Sequence, residues 1–184
     1  MLVILDRDGV INEDLIGEYV CHVNQWRAIP GSIEAIAQLT DAGHQIAIAT
    51  NQAGLAKGLF SLEDLEAIHA HMIAQIEAAG GHVEGVFYCP HQSSDNCSCR
   101  KPAPGMLHAI SRELGLEVNS AVLVGDKISD LQLAEAGGCQ PVLVRTGYGG
   151  ETEQRLSELQ DPGTVRVYDN LADTVRTMLK GVET

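Results

Sequence analysis

Short apolar runs alternate along this chain with longer stretches in which apolar residues recur every three or four positions. The runs are Val3–Leu5, Ile46–Ala49, Val86–Tyr88, Ala121–Val124, Pro141–Val144 and Val165–Val167. Almost no polar residue interrupts them, which suits strands buried on both faces. Between them, Ser32–Ala42 puts Ile33, Ile36 and Leu39 on one helical face and stops at Gly43. Ser61 caps a longer helix carrying Leu65, Ile68, Met72 and Ile76. Met106–Leu114 ends at Gly115, and Leu131–Ala136 and Leu171–Leu179 complete the helical set. The alternation predicts an α/β fold: a Rossmann-like, mostly parallel sheet with helices on both faces. Gly147, Gly149 and Gly150 predict a flexible loop after the fifth run. No internal repeat or Pro/Ser-rich linker divides the chain, so residues 1–184 are expected to form one domain.

In such sheets ligands sit beyond the carboxyl ends of the strands. The unusual polar residues fall there. Asp6 and Asp8, in Asp6-Arg7-Asp8-Gly9, leave the first strand two residues apart, and crowded like charges of that kind call for a hard cation such as Mg2+. A cap or an Asx-turn would also explain them. Thr50, Asn51 and Gln52 follow the second strand and suit phosphate oxygens. Arg100-Lys101-Pro102 offers a cationic pair, and Gly125-Asp126-Lys127-Ile128-Ser129-Asp130 places two more carboxylates around a lysine. A strand-to-loop turn, a solvated surface pair and a helix N-cap would account for these three features taken singly.

Composition narrows the partners. The 184 residues carry 12 Lys+Arg against 25 Asp+Glu, a net charge of −13, which disfavours nucleic acid and anionic membranes but not a small phosphorylated ligand in a local basic pocket. Asp6 interrupts the apolar N-terminal run too early for a secretory leader, and no run approaches the roughly 18 residues needed to cross a bilayer. A cytoplasmic protein, monomeric by default, is expected. Cysteine is odd in number, at five, and three of them crowd with a histidine into one loop. Cys89, His91, Cys97 and Cys99 match a closed tetrahedral Zn2+ site, structural because no ligand position is spare, and that site would fix Arg100 and Lys101 next door. Cys139 is expected to be a small buried residue, while Cys21 lies in a loop the pattern does not place.

Taken in order, Asp6/Asp8, Thr50, Lys101 and Asp126/Asp130 resemble the haloacid dehalogenase superfamily of phosphohydrolases from Asp6 to about Gly149. The resemblance implies that Asp6 is the nucleophile and Asp8 the acid/base. It implies that Asp6, the Asp8 backbone carbonyl and Asp126 hold Mg2+, that Thr50 and Lys101 stabilise the transferring phosphoryl group, and that Asp130 orients Lys101 or a metal-bound water. Within the superfamily the zinc loop with Asp-Arg-Asp-Gly occurs among heptose bisphosphate phosphatases and histidinol-phosphate phosphatases. Residues 50–58, 99–107, 124–127 and 144–149 are more similar to the heptose family, a resemblance that implies a sugar bisphosphate as substrate and contacts to it from Asn51, Gln52, Arg100, Lys101 and Lys127. Ala53 and Lys57 depart from that family's usual Ser and Arg. The other readings are a histidinol-phosphate phosphatase and a catalytically silent phosphate-binding scaffold. Only about forty residues separate Asp8 from Thr50, so no cap domain is expected and short loops must select the substrate. Glu13, Asp14, Glu18, Tyr19 and His22 lie in the first such loop and are read chiefly as solvated surface.

Overall fold

A computed structural model describes residues 1–180. Six strands form one parallel sheet in the order β3-β2-β1-β4-β5-β6. They are β1 (Leu2–Leu5), β2 (Gln45–Asn51), β3 (Gly85–Cys89), β4 (Val122–Gly125), β5 (Gln140–Val144) and β6 (Arg166–Tyr168). The helices are α1 (Ser32–Asp41), α2 (Leu62–Ala78), α3 (Gly105–Leu114), α4 (Ile128–Gly137), α5 (Gly149–Glu153) and α6 (Leu171–Lys180). The strand order reverses at the β1/β4 pair, which leaves a crevice at the carboxyl ends of those strands.

Both sheet faces are apolar because alternate strand residues serve different layers. Val3, Leu5, Ile46 and Ile48 pack with Ile36 and Leu39 of α1, Ile68 and Met72 of α2 and Val175 of α6. Leu2, Ile4, Ala47 and Leu123 face the other way, onto Met106 and Ile110 of α3 and Leu133 of α4. Cys139 is buried in this second layer, as expected. With both layers closed, the sheet is rigid and the residues just past its strands inherit that rigidity.

The element boundaries differ from the pattern in instructive ways. β2 runs through Thr50 and Asn51, which pair with Tyr88 and Cys89, so those two polar residues end the strand instead of following it. β6 is shifted one residue towards the C-terminus, to Arg166–Tyr168. α4 begins at Ile128 and not Leu131, since the Asp130 carboxylate accepts from the Lys127 amide at 3.0 Å and caps the helix. The glycine-rich stretch after β5 is not a flexible loop. Thr146 Oγ1 donates to the Gly9 carbonyl (2.6 Å), the Tyr148 amide to Asp126 Oδ2 (2.8 Å) and Thr152 Oγ1 to the Asp126 carbonyl (2.7 Å), and the segment closes as α5. Gly149 is required there, because a Cβ would lie 1.7 Å from the Val144 carbonyl oxygen.

Among the described residues no helix is long and apolar enough to cross a membrane. Ile36 is fully buried between α1 and the sheet. Ile36→Ala is expected to lower the unfolding free energy by about 2–5 kcal/mol, read from a urea titration with an unchanged denaturant slope.

Candidate active site

Beyond the carboxyl ends of β1, β2 and β4 lies a cavity of about 370 Å³. Asp6, Asp8, Thr50, Asn51, Arg100, Lys101 and Lys127 all line it, which brings together seven of the residues singled out from the sequence. Asp126 and Asp130 sit behind them, fully buried. Gln52, 1% exposed, is not among the lining residues; its Nε2 donates to Asp8 Oδ2 and to Thr50 Oγ1, both at 2.9 Å. Its work is to hold two cavity residues in place.

Lys101 stands at the centre. Its ammonium contacts Asp130 Oδ1 (2.7 Å), Asp6 Oδ1 (2.9 Å) and the Ala49 carbonyl (2.8 Å). Burial alone would lower its pKa, but the charges of Asp130 and then Asp6 outweigh that and raise it. Asn51 locks the lysine's backbone to β2, with its Oδ1 accepting from the Lys101 amide (3.1 Å) and its Nδ2 donating to the Lys101 carbonyl (3.3 Å).

Asp6, Asp126 and Asp130 bring one carboxylate oxygen each within 4.8 Å of the others. Three hard, buried oxygen donors fit Mg2+. The tight packing extends to the backbone, for a Cβ on Gly9 would lie 2.2 Å from Asp126 Oδ2 and only glycine fits that turn at φ +88°. Burial pushes the Asp126 carboxyl up to about 8; Lys127 pulls against this, while Asp6 and Asp130 add to it. Asp130 is tied to Lys101 and to the Lys127 amide, while Asp6 accepts from Lys101 and the Arg7 amide and Asp126 from the Tyr148 amide.

Asp8 is held differently. Its carboxylate accepts from Arg7 Nε (3.2 Å), Arg7 Nη2 (2.9 and 2.8 Å), Asn12 Nδ2 (2.9 Å) and Gln52 Nε2 (2.9 Å). Burial raises its pKa, but the Arg7 charge and these hydrogen bonds prevail and hold it below the ordinary value. Arg7, 1% exposed, is a site residue that the motif reading passed over as the spacer between two aspartates.

The first loop is not mere surface. Asp14 and Tyr19 line the cavity with Glu18, and Asp14 accepts from Lys127 Nζ at 2.7 Å. Lys57 Nζ meets the Tyr19 hydroxyl at 2.9 Å, and the Gly17 amide donates to the Tyr148 hydroxyl at 3.0 Å. Glu13 and His22 do not line the cavity. Cys21 sits on the same loop, its amide donating to Gln25 Oε1 at 2.8 Å.

The cysteine loop folds back on itself beside Arg100. Cys89 Sγ lies 3.6 Å from Cys97 Sγ and 3.2 Å from Cys99 Sγ, and His91 Nδ1 lies 3.3 Å from Cys99 Sγ. Zinc–sulfur bonds of about 2.3 Å in a tetrahedron set sulfurs about 3.8 Å apart, so this donor set has the size and chemistry for Zn2+. Arg100 Nη1 donates to the His91 carbonyl (3.1 Å), and the Gly105 amide to the Ser98 carbonyl (2.9 Å), which ties the loop to both the cavity and α3.

A HAD-hydrolase-like family model matches residues 98–174. The D-glycero-beta-D-manno-heptose-1,7-bisphosphate 7-phosphatase of Pseudomonas aeruginosa is 46% identical over 179 residues, 97% of this chain and 98% of that one. The chain belongs to the heptose-1,7-bisphosphate 7-phosphatase family. A crystal structure of the Bordetella bronchiseptica D,D-heptose 1,7-bisphosphate phosphatase, complexed with magnesium and phosphate, aligns with a TM-score of 0.90 at 43% identity over 98% of each chain. The D-glycero-alpha-D-manno-heptose-1,7-bisphosphate 7-phosphatase of Mycobacterium tuberculosis is 39% identical over 146 residues, 76% of this chain and 77% of that one. The heptose phosphatase family thus accounts for nearly the whole length of the chain, cysteine loop included.

Two outcomes test the metal sites. Asp126 binds its proton more tightly in the fold than its ordinary 3.8 allows. A raised carboxyl contributes stability that is complete below about 4 and lost as pH climbs to about 8. In magnesium-free buffer the unfolding temperature should therefore fall across that window, and added Mg2+ should restore it at the alkaline end, as calorimetry would show. Elemental analysis should find one zinc per chain, and Cys99→Ser should lower both the zinc content and the unfolding temperature.

Proposed function

We propose that this chain is a Mg2+-dependent phosphatase that releases the 7-phosphate of D-glycero-D-manno-heptose 1,7-bisphosphate, with the β anomer as the preferred substrate. The observation that carries this reading is the buried Lys101 joining Asp6 and Asp130 at the head of a cavity also lined by Asp8, Thr50 and Arg100. Kinship supports the substrate. Relatives carrying the beta name are 43–46% identical across nearly the whole chain, above the alpha-named relative.

In the first half-reaction Asp6 attacks the phosphorus of the 7-phosphate ester and forms an aspartyl-phosphate. Asp8, which Arg7 and its hydrogen bonds hold ionised, takes up a proton as the negatively charged ester enters beside it and passes that proton to the departing sugar oxygen. In the second half, Asp8 takes a proton from the water that attacks the aspartyl-phosphate, which frees phosphate and regenerates Asp6. Thr50 Oγ1 already accepts from Gln52, so its own O–H is directed to a phosphoryl oxygen. Lys101, fixed by Asn51 and Asp130, balances charge on the transferring group. Arg100 and Lys127 supply positive charge for the remainder of a doubly phosphorylated sugar. Asp6, Asp126 and the Asp8 carbonyl would hold Mg2+, which neutralises the nucleophile and the phosphoryl oxygens when bound. Cys89, His91, Cys97 and Cys99 would hold Zn2+ and keep Arg100 at the cavity wall. The chain acts as one domain, a monomer in the cytoplasm.

The test is phosphate release with Mg2+ on the β and α heptose 1,7-bisphosphates and on histidinol phosphate. The β-heptose ester should be turned over best, with phosphate lost from carbon 7. A preference for histidinol phosphate would overturn the substrate assignment. Asp6→Asn should lower kcat at least about a thousandfold, and retained activity would remove Asp6 from its role.

A further inference from the structure

The half-buried His69, on α2, is 62 residues from Arg7 in sequence and belongs to none of the site motifs, yet its Nε2 lies 3.2 Å from Arg7 Nη1. Arg7 spends its remaining fork, Nε and Nη2, on the Asp8 carboxylate. The guanidinium is planar and rigid, so its two ends cannot be aimed independently. Fixing one end on α2 fixes the other on Asp8.

We propose that His69 is a positioning residue for Asp8, acting through Arg7 as a brace between helix α2 and the acid/base. The proposal rests on the reading of Asp8 as acid/base. Three observations shape it. A guanidinium is donor-only, so His69 Nε2 must accept and the ring proton must reside on Nδ1. Burial and then the Arg7 charge hold the imidazole near a pKa of about 4, against the pull of Asp8, and it is neutral and able to accept under working conditions. The ring is also packed against Tyr88 of β3, with centroids 5.8 Å apart, so its orientation is set from a second element. Met72 and Ile68, flanking it on α2, are fully buried in the core, and the helix itself cannot shift. Histidine here is thus an acceptor of fixed direction. Apart from this brace, Asn12 and Gln52 are the groups that hold Asp8, one hydrogen bond on each oxygen.

A brace on the acid/base makes a prediction that a purely structural histidine does not. kcat/KM reports steps up to formation of the aspartyl-phosphate, and only a poor leaving group needs a proton there. His69→Leu keeps the volume and deletes the acceptor. It should lower kcat/KM on the heptose bisphosphate, an alkyl ester, by about tenfold or more, since misplacement by about an ångström costs up to about a hundredfold. On p-nitrophenyl phosphate, whose leaving group needs little protonation, the same variant should lose less than about twofold. His69→Gln puts an amide oxygen where Nε2 stood and should recover most of the loss. Should His69→Leu fail to fold, Arg7→Lys serves in its place, since one ammonium cannot span both Asp8 and the ring, and the same ester dependence is expected. Equal losses on both esters, no loss, or no difference between the Leu and Gln variants would overturn the brace. Asp8→Asn is the control. If it shows the ester dependence and the His69 variants do not, the brace is wrong and the acid/base stands; if Asp8→Asn shows none, the acid/base assignment itself falls.

Discussion

Putting the Asp6, Asp126 and Asp130 carboxylates into a water-poor crevice is the constraint from which the rest of this structure follows. Their oxygens lie within 4.8 Å of one another, and an unpaired buried charge is among the costliest things a fold can contain. Lys101 answers two of the three, and the third is left with a carboxyl that holds its proton far above the usual range. A site of this kind demands a dication, and the demand is built into the backbone. Gly9 and Gly125 exist so that chain and carboxylate can approach closely; a Cβ on either would lie 2.2 Å from the neighbouring aspartate.

The support for Lys101 comes from opposite directions. Asn51 anchors its backbone to a central strand, while the cysteine loop, tied to Arg100 and to the start of α3, holds the other flank. That loop has little apolar surface with which to fold alone, and its Cys89, His91, Cys97 and Cys99 could hold a metal crosslink in place of a core.

Much of this was legible in the sequence because the informative residues are local to strand ends. Asp6, Thr50 and Asp126 each close an apolar run, and four soft ligands within eleven residues define the metal loop. What the sequence hid was whatever depends on tertiary closure. His69 falls between Ile68 and Met72 on a helix whose periodicity reads as core, and only the packing of α2 into the core on that face of the sheet brings it to Arg7. α5 has two glycines and no apolar period, and it is helical because Thr146, Tyr148 and Thr152 are drawn to Gly9 and Asp126. Gln52 was legible as polar and near the site, but not its direction, because alternation along β2 sends Thr50 and Asn51 to different partners and leaves the next amide to turn inward beneath Asp8. Asp14 and Tyr19 looked like solvated loop residues until the Gly17–Tyr148 hydrogen bond drew their loop across the cavity.

The cavity's cations have a consequence for how a ligand arrives. The chain as a whole carries a net charge of −13, so at long range it repels an anion. Lys57, Arg100, Lys101 and Lys127 line the cavity, yet Lys101 and Lys127 are already spoken for by internal carboxylates. Attraction begins only inside a screening length of about 8 Å. Entry of a phosphate therefore depends on short-range contacts inside the cavity, where Lys127 already holds Asp14. For such a molecule added salt weakens the far repulsion more than the near attraction, and encounter quickens where a basic enzyme's would slow.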